Sequence, residues 1–151
     1  MSIEAFRHRL ALRVRWAEVD MQAVVFNGHY LTYADVCATE YWRAIGVPYP
    51  AGFADLGIDA FVRKATVEYR APARYDDELL VCGRIARLGR SSASFAVAIF
   101  RADDRSRPLI DAEVVYVCVD LGGAPVPWPE EIRERMRRYE VVAPIEGADR
   151  G

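Results

Sequence analysis

The chain has few metal-binding or redox side chains. Its 151 residues include three cysteines, Cys37, Cys82 and Cys118, and two histidines, His8 and His29. The cysteines are widely spaced and form no CxxC pair, so the closely spaced ligands of a structural zinc site are missing. We therefore expect no metal site. An odd number of cysteines without a secretion signal suits a reducing compartment, which predicts a cytoplasmic protein.

Long apolar runs and a strong excess of one charge are also missing. No stretch approaches the roughly 20 apolar residues that span a bilayer, and the opening MSIEAFRHRL has no apolar region or cleavage site typical of a signal peptide. The formal net charge is −2, which gives no electrostatic basis for general nucleic-acid binding. We expect neither a membrane nor a nucleic-acid partner. No P-loop, dinucleotide fingerprint or GxSxG nucleophile elbow is present, and no cofactor is expected.

Hydrophobic periodicity predicts one long helix among several strands. From Tyr30 to Ile45 the apolar residues recur at spacings of three and four, the pattern of an amphipathic helix. Gly46 and Pro48 are typical of the end of a helix. Apolar runs bounded by turn residues predict five strands, over residues 10–17, 61–70, 79–88, 94–101 and 109–120. Residues 129–139 predict a short polar helix with a proline near its first turn.

This order of elements predicts a single α+β domain. Short turns join the last four strands, so these strands are expected to be antiparallel neighbours. The long helix must cover one face of that sheet to bury its apolar stripe. We expect one domain over residues 1–140, because no repeat or linker divides it, and a frayed tail over residues 141–151.

The loop between the first strand and the long helix carries the most chemical information. Asp20 is followed by an apolar run and then by Asn27 and Gly28, where the helix is predicted to begin because Asn is a favoured N-cap residue. The first backbone N–H groups of a helix have no intrahelical acceptor and carry partial positive charge. A carboxylate beside them can attack a carbonyl or activate water while the N–H groups hold the developing oxyanion.

The segment DMQAVVFNGHY, residues 20–30, resembles the loop of the hotdog-fold acyl-CoA thioesterases of the 4-hydroxybenzoyl-CoA thioesterase-like group. That loop reads roughly Asp-x-x-Gly-Val-Val-Tyr/Phe-x-x-x-Tyr and is followed by a helix. The resemblance extends from about Leu12 to Val119. Two positions depart from it: Ala23 stands where the family usually has Gly, and Asn27 stands where many relatives have His or Tyr. The matching residues are Asp20, Val24, Val25, Phe26 and Tyr30, with family-like segments at 39–41 and 88–92.

The resemblance implies a hotdog fold, in which an antiparallel sheet of about five strands wraps around one long helix, and an enzyme that hydrolyses acyl-CoA thioesters. Asp20 is then expected to be the catalytic carboxylate, as nucleophile or general base, and the backbone N–H of Asn27 is expected to polarise the thioester carbonyl. Relatives form dimers with active sites at the subunit interface, so a homodimer or a dimer of dimers is expected. Substrate contacts are expected from Phe26, Gly28, His29 and Tyr30, and from Arg90, Ser91 and Ser92 near the nucleotide end of coenzyme A.

Several alternatives stay open at the level of sequence. Glu40 on the long helix is a second candidate acid, and His29 is a candidate base in the first helical turn, although packing roles are common for both residue types. Hydrolysis of acyl-carrier-protein thioesters is the alternative to acyl-CoA hydrolysis within the same enzyme class. Some hotdog enzymes hydrate enoyl thioesters with a His paired to an acid, and a non-catalytic acyl-CoA-binding module would have the same fold.

Overall fold

The computed structural model describes residues 1–147 and contains the long helix and all five strands that the sequence predicts. Two further short elements, α2 and β6, were not predicted, and single 3₁₀ turns occur at Ile3–Ala5 and Trp16–Glu18. The helices and strands are β1 (His8–Arg13), α1 (His29–Ala44), α2 (Ala51–Asp55), β2 (Ile58–Tyr69), β3 (Glu78–Leu88), β4 (Ser92–Arg101), β5 (Ile110–Asp120), α3 (Glu130–Tyr139) and β6 (Ile145–Glu146).

The main strands form one antiparallel sheet in the order β1-β3-β4-β5-β2. The strands β3, β4 and β5 are joined by short turns and lie side by side, as expected. The prediction that β2 also lies beside β3 is wrong, because the chain crosses to the other side of the sheet after β2, which pairs with β5 instead. Strands β1 and β2, which flank α1 in the sequence, lie at opposite edges of the sheet. The chain must therefore cross the whole sheet between them, and α1 makes that crossing on one face. No helix within residues 1–147 is long and apolar enough to cross a membrane.

The helix α1 lies against the middle of β3. Its buried stripe includes Tyr33, Cys37 and Tyr41, at the spacing of four that one helical face requires. Gly83 on β3 allows this close approach, because a Cβ there would lie 2.2 Å from the ring of Phe95 and 2.9 Å from Sγ of Cys37. The other face of the sheet carries a smaller apolar cluster, formed by Ile3, Phe6, Cys82, Ala98 and Phe100.

The first strand begins and ends earlier than predicted. It spans His8–Arg13 rather than 10–17, and Trp16 is exposed in a 3₁₀ turn. The alternation of apolar and basic residues continues past the strand, but the backbone turns after Val14, where Glu18 accepts hydrogen bonds from both the backbone and the side chain of Arg15. A local side-chain contact therefore ends the strand where the periodicity alone would extend it.

The C-terminal segment is paired rather than frayed where it is described. Residues Ile145–Glu146 form β6, which runs parallel to the end of β3. The carboxylate of Glu146 binds Arg133 at 2.9 Å and Arg137 at 2.8 Å on α3. The expected frayed tail is therefore wrong for residues 145–146, because a ladder and two ion pairs hold them, and residues 148–151 lie outside the described part of the chain.

Candidate active site

Asp20 lies in a cleft of about 270 Å³ between the loop that precedes α1 and the segment that follows β2. The loop is held to that segment by pairing of Val24 with Arg74 and by a 2.8 Å hydrogen bond from the N–H of Val25 to the carbonyl of Ala73. The cleft is lined by Asp20, Gln22, Val24, Val25, Asn27, Tyr30, Tyr69, Arg70, Ala71 and Pro72.

The half-buried carboxylate of Asp20 is oriented by its own loop. Its Oδ1 accepts a hydrogen bond of 2.8 Å from the backbone N–H of Gln22. The backbone N–H of Asp20 donates to the carbonyl of Val24 at 2.9 Å, and the N–H of Ala23 donates to the carbonyl of Asp20 at 2.9 Å. Within residues 1–147, Oδ2 has no hydrogen-bond donor. One carboxylate oxygen is thus fixed, and the other is free to meet a substrate or water.

Ala23 keeps the left-handed backbone that a glycine would adopt. Its φ is +63°, a region that costs an L-residue about 1–2 kcal/mol. The loop resemblance has Gly at this position. Ala23 therefore carries backbone strain that Gly would not.

The start of α1 lies beside the cleft, which Asn27 lines. The helix begins at His29 and its N-cap is Gly28, which makes no side-chain cap, so the prediction of Asn27 as N-cap is wrong by one residue. The N–H of His29 donates to the carbonyl of Phe26 at 2.9 Å. The N–H groups of Asn27 and Gly28 make no hydrogen bond to any other residue in the described range. Donors of this kind can hold an anion or an oxyanion.

The structure brings three of the predicted site residues, Asp20, Asn27 and Tyr30, to this cleft. The hydroxyl of Tyr30 accepts a hydrogen bond of 3.0 Å from the backbone N–H of Ala73. Burial raises the pKa of this hydroxyl, so it remains protonated and keeps its own hydrogen as a donor.

Three other predicted residues, Phe26, Gly28 and His29, lie beside the cleft and do not line it. Phe26 is exposed and meets the ring of His29 edge-on at 5.8 Å. Its ring also covers Gly28, where a Cβ would lie 3.0 Å from it.

Arg90, Ser91 and Ser92 are far from the cleft in a single chain. Arg90 and Ser91 lie in the turn between β3 and β4, and Ser92 is the first residue of β4. The carbonyl of Ser91 accepts a hydrogen bond of 2.7 Å from the N–H of Cys118. Cys118 pairs with Ala60 at the beginning of β2, whereas the cleft lies beyond Tyr69 at its other end. Nine residues of strand separate these ends, or about 30 Å at 3.3 Å per residue. The role of this turn in binding stays a prediction.

The second candidate acid, Glu40, does not line the cleft. Glu40 lies in the second half of α1, where it forms an ion pair with Arg43 one turn later, and it is not among the lining residues. Within residues 1–147, no group of three or more His, Cys, Asp or Glu side chains is placed to hold a metal ion. Asp20 is the acid that lines this cleft.

A second carboxylate beneath the loop was missed by the sequence analysis. Glu18 is buried and accepts hydrogen bonds from Arg15 and from the hydroxyl of Tyr33, the latter at 2.9 Å. Glu18 stands three residues after Arg15 and accepts the backbone N–H of Arg15, as the acid of a capping box does. This spacing was the available signal, although the Arg15 side chain can only donate and cannot complete the box. The contact with Tyr33 has no local sequence signature.

The fold, with a sheet that carries one long helix on its face and an acid beside the start of that helix, defines a hotdog thioesterase. Residues 22–107 match the family model described as the thioesterase superfamily. The acyl-CoA thioester hydrolase YbgC of Escherichia coli O157:H7 is 35% identical over 112 residues, which are 74% of this chain and 81% of that protein.

Solved structures of other proteins have the same fold. A thioesterase from Thermus thermophilus, solved in complex with coenzyme A and zinc, has a TM-score of 0.78 and 29% identity, covering 91% of this chain and 97% of that one. The PA5185 protein of Pseudomonas aeruginosa has a TM-score of 0.81 and 25% identity, covering 93% and 96%. The chain belongs to the thioesterase superfamily and is a thioester hydrolase, which confirms the predicted fold and enzyme class.

Proposed function

We propose that this thioesterase hydrolyses acyl-CoA thioesters to a free acid and coenzyme A, with Asp20 as the catalytic carboxylate. The observation that carries the proposal is the presence of the unpaired Oδ2 of Asp20 and the unpaired N–H of Asn27 in one cleft. Thioester hydrolysis needs a nucleophile or base together with a donor for the oxygen that becomes negative. The choice of acyl-CoA is supported by the names of the relatives.

As a general base, Asp20 takes a proton from a water molecule, and the resulting hydroxide attacks the thioester carbonyl. The carbonyl oxygen becomes negative and is held by the N–H of Asn27 at the positive end of α1. The C–S bond then breaks, and the protonated Asp20 returns the proton to the departing thiolate. As a nucleophile, Asp20 attacks the carbonyl itself, and the C–S bond breaks to leave a mixed anhydride and the coenzyme A thiolate, which takes up a proton from solvent. Water then hydrolyses the anhydride, which releases the free acid and regenerates the Asp20 carboxylate. Both routes use the same two groups.

We further propose that the complete site forms in a homodimer through the free edge of β2. Support comes from the exposed side chains of Phe61, Val62 and Tyr69 on this strand, and from its position at the sheet edge, where unpaired backbone groups can pair with a second chain. Antiparallel pairing of two β2 strands would bring the beginning of one strand to the end of the other. The turn with Arg90 from one copy would then lie on the cleft side of its partner.

The Asp20→Asn variant tests the proposal. We expect kcat for acyl-CoA hydrolysis to fall by at least about 100-fold, because the amide can neither take a proton nor attack efficiently. The matched control is Glu40→Gln, which makes the same change in charge on α1 away from the cleft, and we expect it to keep kcat within about twofold. Free thiol is followed with a thiol-trapping dye on a panel of acyl-CoA substrates, and thermal melts establish that both variants fold.

The same assay separates the remaining alternatives. Asn27→Ala should keep most of the activity, since the backbone amide, not the side chain, is the proposed donor. Acyl-carrier-protein and N-acetylcysteamine thioesters of the same acyl group show which thiol carrier is preferred. Near-normal turnover by Asp20→Asn would remove Asp20 from the mechanism, and loss of activity in Glu40→Gln would transfer the role to Glu40.

A further inference from the structure

We propose that Glu18 and Tyr33 are positioning residues that hold the Asp20 loop at a fixed distance from the start of α1. The inference rests on the proposed function, because it assigns the contacts that keep the catalytic carboxylate beside the helix donors. Neither residue lines the cleft, so both would act through the backbone of the loop.

The Glu18 carboxylate is buried and fully hydrogen-bonded. The residue is 7% exposed. Its Oε1 accepts from the backbone N–H of Arg15 at 2.8 Å and from the hydroxyl of Tyr33 at 2.9 Å. Its Oε2 accepts from Nε and Nη2 of Arg15 at 3.1 Å and 2.5 Å. A buried carboxylate is costly unless its oxygens are paired in this way, so the contacts define one geometry for the turn.

Glu18 is ionised in this arrangement. Burial raises the pKa of this carboxyl, but the hydrogen bonds from Arg15 and Tyr33 outweigh that effect and leave the pKa below its usual value. Hydrogen bonds to an ionised group are stronger than those between neutral groups. The Tyr33 hydroxyl is therefore bound to a charged acceptor, which ties α1 firmly to the turn.

This network reaches Asp20 through two short backbone paths. Glu18 precedes Asp20 by two residues, and its carbonyl accepts a hydrogen bond of 2.9 Å from the N–H of Phe26. Between them, Val19 pairs with Val25. These contacts hold the two ends of the Asp20–Val25 loop together. The side chain of Glu18 then links these ends to Tyr33 on α1.

Tyr30 on α1 holds the opposite wall of the cleft, which is formed by the segment after β2. Tyr30 accepts a hydrogen bond of 3.0 Å from the N–H of Ala73, and its ring meets that of Tyr33 edge-on at 6.0 Å. Two contacting tyrosines in the first turns of α1 therefore hold the two walls of the cleft that Asp20 and Asn27 line. A displacement of about 1 Å between reacting groups can lower a rate by as much as about 100-fold.

The test compares Tyr33→Phe with Tyr41→Phe. Both variants remove one hydroxyl that donates to a buried carboxylate, at 2.9 Å to Glu18 and at 2.6 Å to Glu140 respectively, and both keep the ring in the core. We expect both to lower the melting temperature, but Tyr33→Phe alone to lower kcat, by about 10-fold, with KM within twofold. Glu18→Gln should lower kcat similarly, and the double variant Glu18→Gln/Tyr33→Phe should be no slower than the slower single variant, because both break one link.

Hydrogen exchange of the loop amides gives a second measurement that does not depend on activity. Residues 20–26 should exchange faster in Tyr33→Phe than in wild type, and at the wild-type rate in Tyr41→Phe. Equal loss of melting temperature in the two variants, with kcat unchanged and loop exchange unchanged, would overturn the inference and make Glu18 and Tyr33 purely structural. If Asp20→Asn stays active, the proposed function fails, whereas the exchange measurement still decides whether this network holds the loop.

Discussion

Ala23 shows how a single residue can carry strain in the loop beside the candidate active site. Its left-handed backbone, with φ of +63°, costs an L-residue about 1–2 kcal/mol. Glycine would remove that cost but lose about 0.5–1 kcal/mol through its greater freedom in the unfolded chain. The two terms oppose each other, and the strain is the larger.

We therefore predict that Ala23→Gly raises the free energy of unfolding by about 0.5 kcal/mol, measured by urea denaturation. The control is Ala124→Gly, at an exposed alanine outside the left-handed region, where the same replacement should lower the free energy of unfolding. If both variants are destabilised to the same extent, the loop does not store strain at Ala23.

At the scale of elements, His8 joins the first strand to two helices. Its Nε2 lies 3.0 Å from the carbonyl of Cys37 on α1, and its Nδ1 lies 3.1 Å from the hydroxyl of Tyr139 on α3. A carbonyl can only accept, so Nε2 carries the hydrogen, and the neutral ring accepts from Tyr139 through Nδ1. Burial lowers the pKa of His8, and the Cys37 carbonyl and the Glu40 carboxylate offset only part of that effect.

This contact predicts a stability that falls in mild acid. Because the folded pKa of His8 is below the unfolded value of about 6.5, its contribution is complete above pH 6.5 and is lost as the pH falls through the folded pKa. We expect thermal melts between pH 7.5 and pH 5 to show a steeper loss of stability for wild type than for His8→Gln.

The comparison with His8→Gln separates the effect of His8 protonation on stability from the effect of buried carboxyl groups that titrate over the same pH range. Burial raises the pKa of Glu140, so that carboxyl favours the folded state at low pH and its contribution falls as the pH rises above its unfolded value. Both proteins contain Glu140, and its effect cancels in the difference. Parallel pH profiles would show that protonation of His8 does not destabilise the fold.

At the scale of the whole molecule, the open edge of β2 predicts self-association. We expect the wild-type protein to sediment as a dimer, at twice its chain mass of 17.0 kDa, or as a dimer of dimers. Val62→Glu should shift it toward monomers and lower kcat, because carboxylates along the seam would repel each other and the site would lose its second subunit.

The matched control for the β2 edge is Val141→Glu. Val62 is 56% exposed and Val141 is 59% exposed, but Val141 follows α3 and lies outside the strands of the sheet. Analytical ultracentrifugation of both variants should show dissociation only for Val62→Glu. A monomeric wild-type protein with full activity would contradict the dimeric site.

The elements and the position of the Asp20 loop could be predicted from the sequence because their signals are local. The apolar spacing of α1 and the turns between β3, β4 and β5 act within a few residues, and Asp20 lies only nine residues before the first residue of α1. The resemblance over residues 20–30 depends on the same short segment, and the family match confirms the fold and enzyme class that it implied. The roles of individual site residues remain predictions.

Contacts between distant residues were decided only by the tertiary structure. The hydroxyl of Tyr33 meets Glu18 across 15 positions of sequence and that of Tyr30 meets Ala73 across 43, and neither pairing has a periodic signature. The separation of the Arg90 turn from Asp20 follows from the register of β2 with β5, which places them at opposite ends of β2, and hydrophobic patterns do not encode register. Local propensity and periodicity thus determined the elements and placed Asp20 ahead of α1, whereas packing across the sheet decided which walls enclose Asp20.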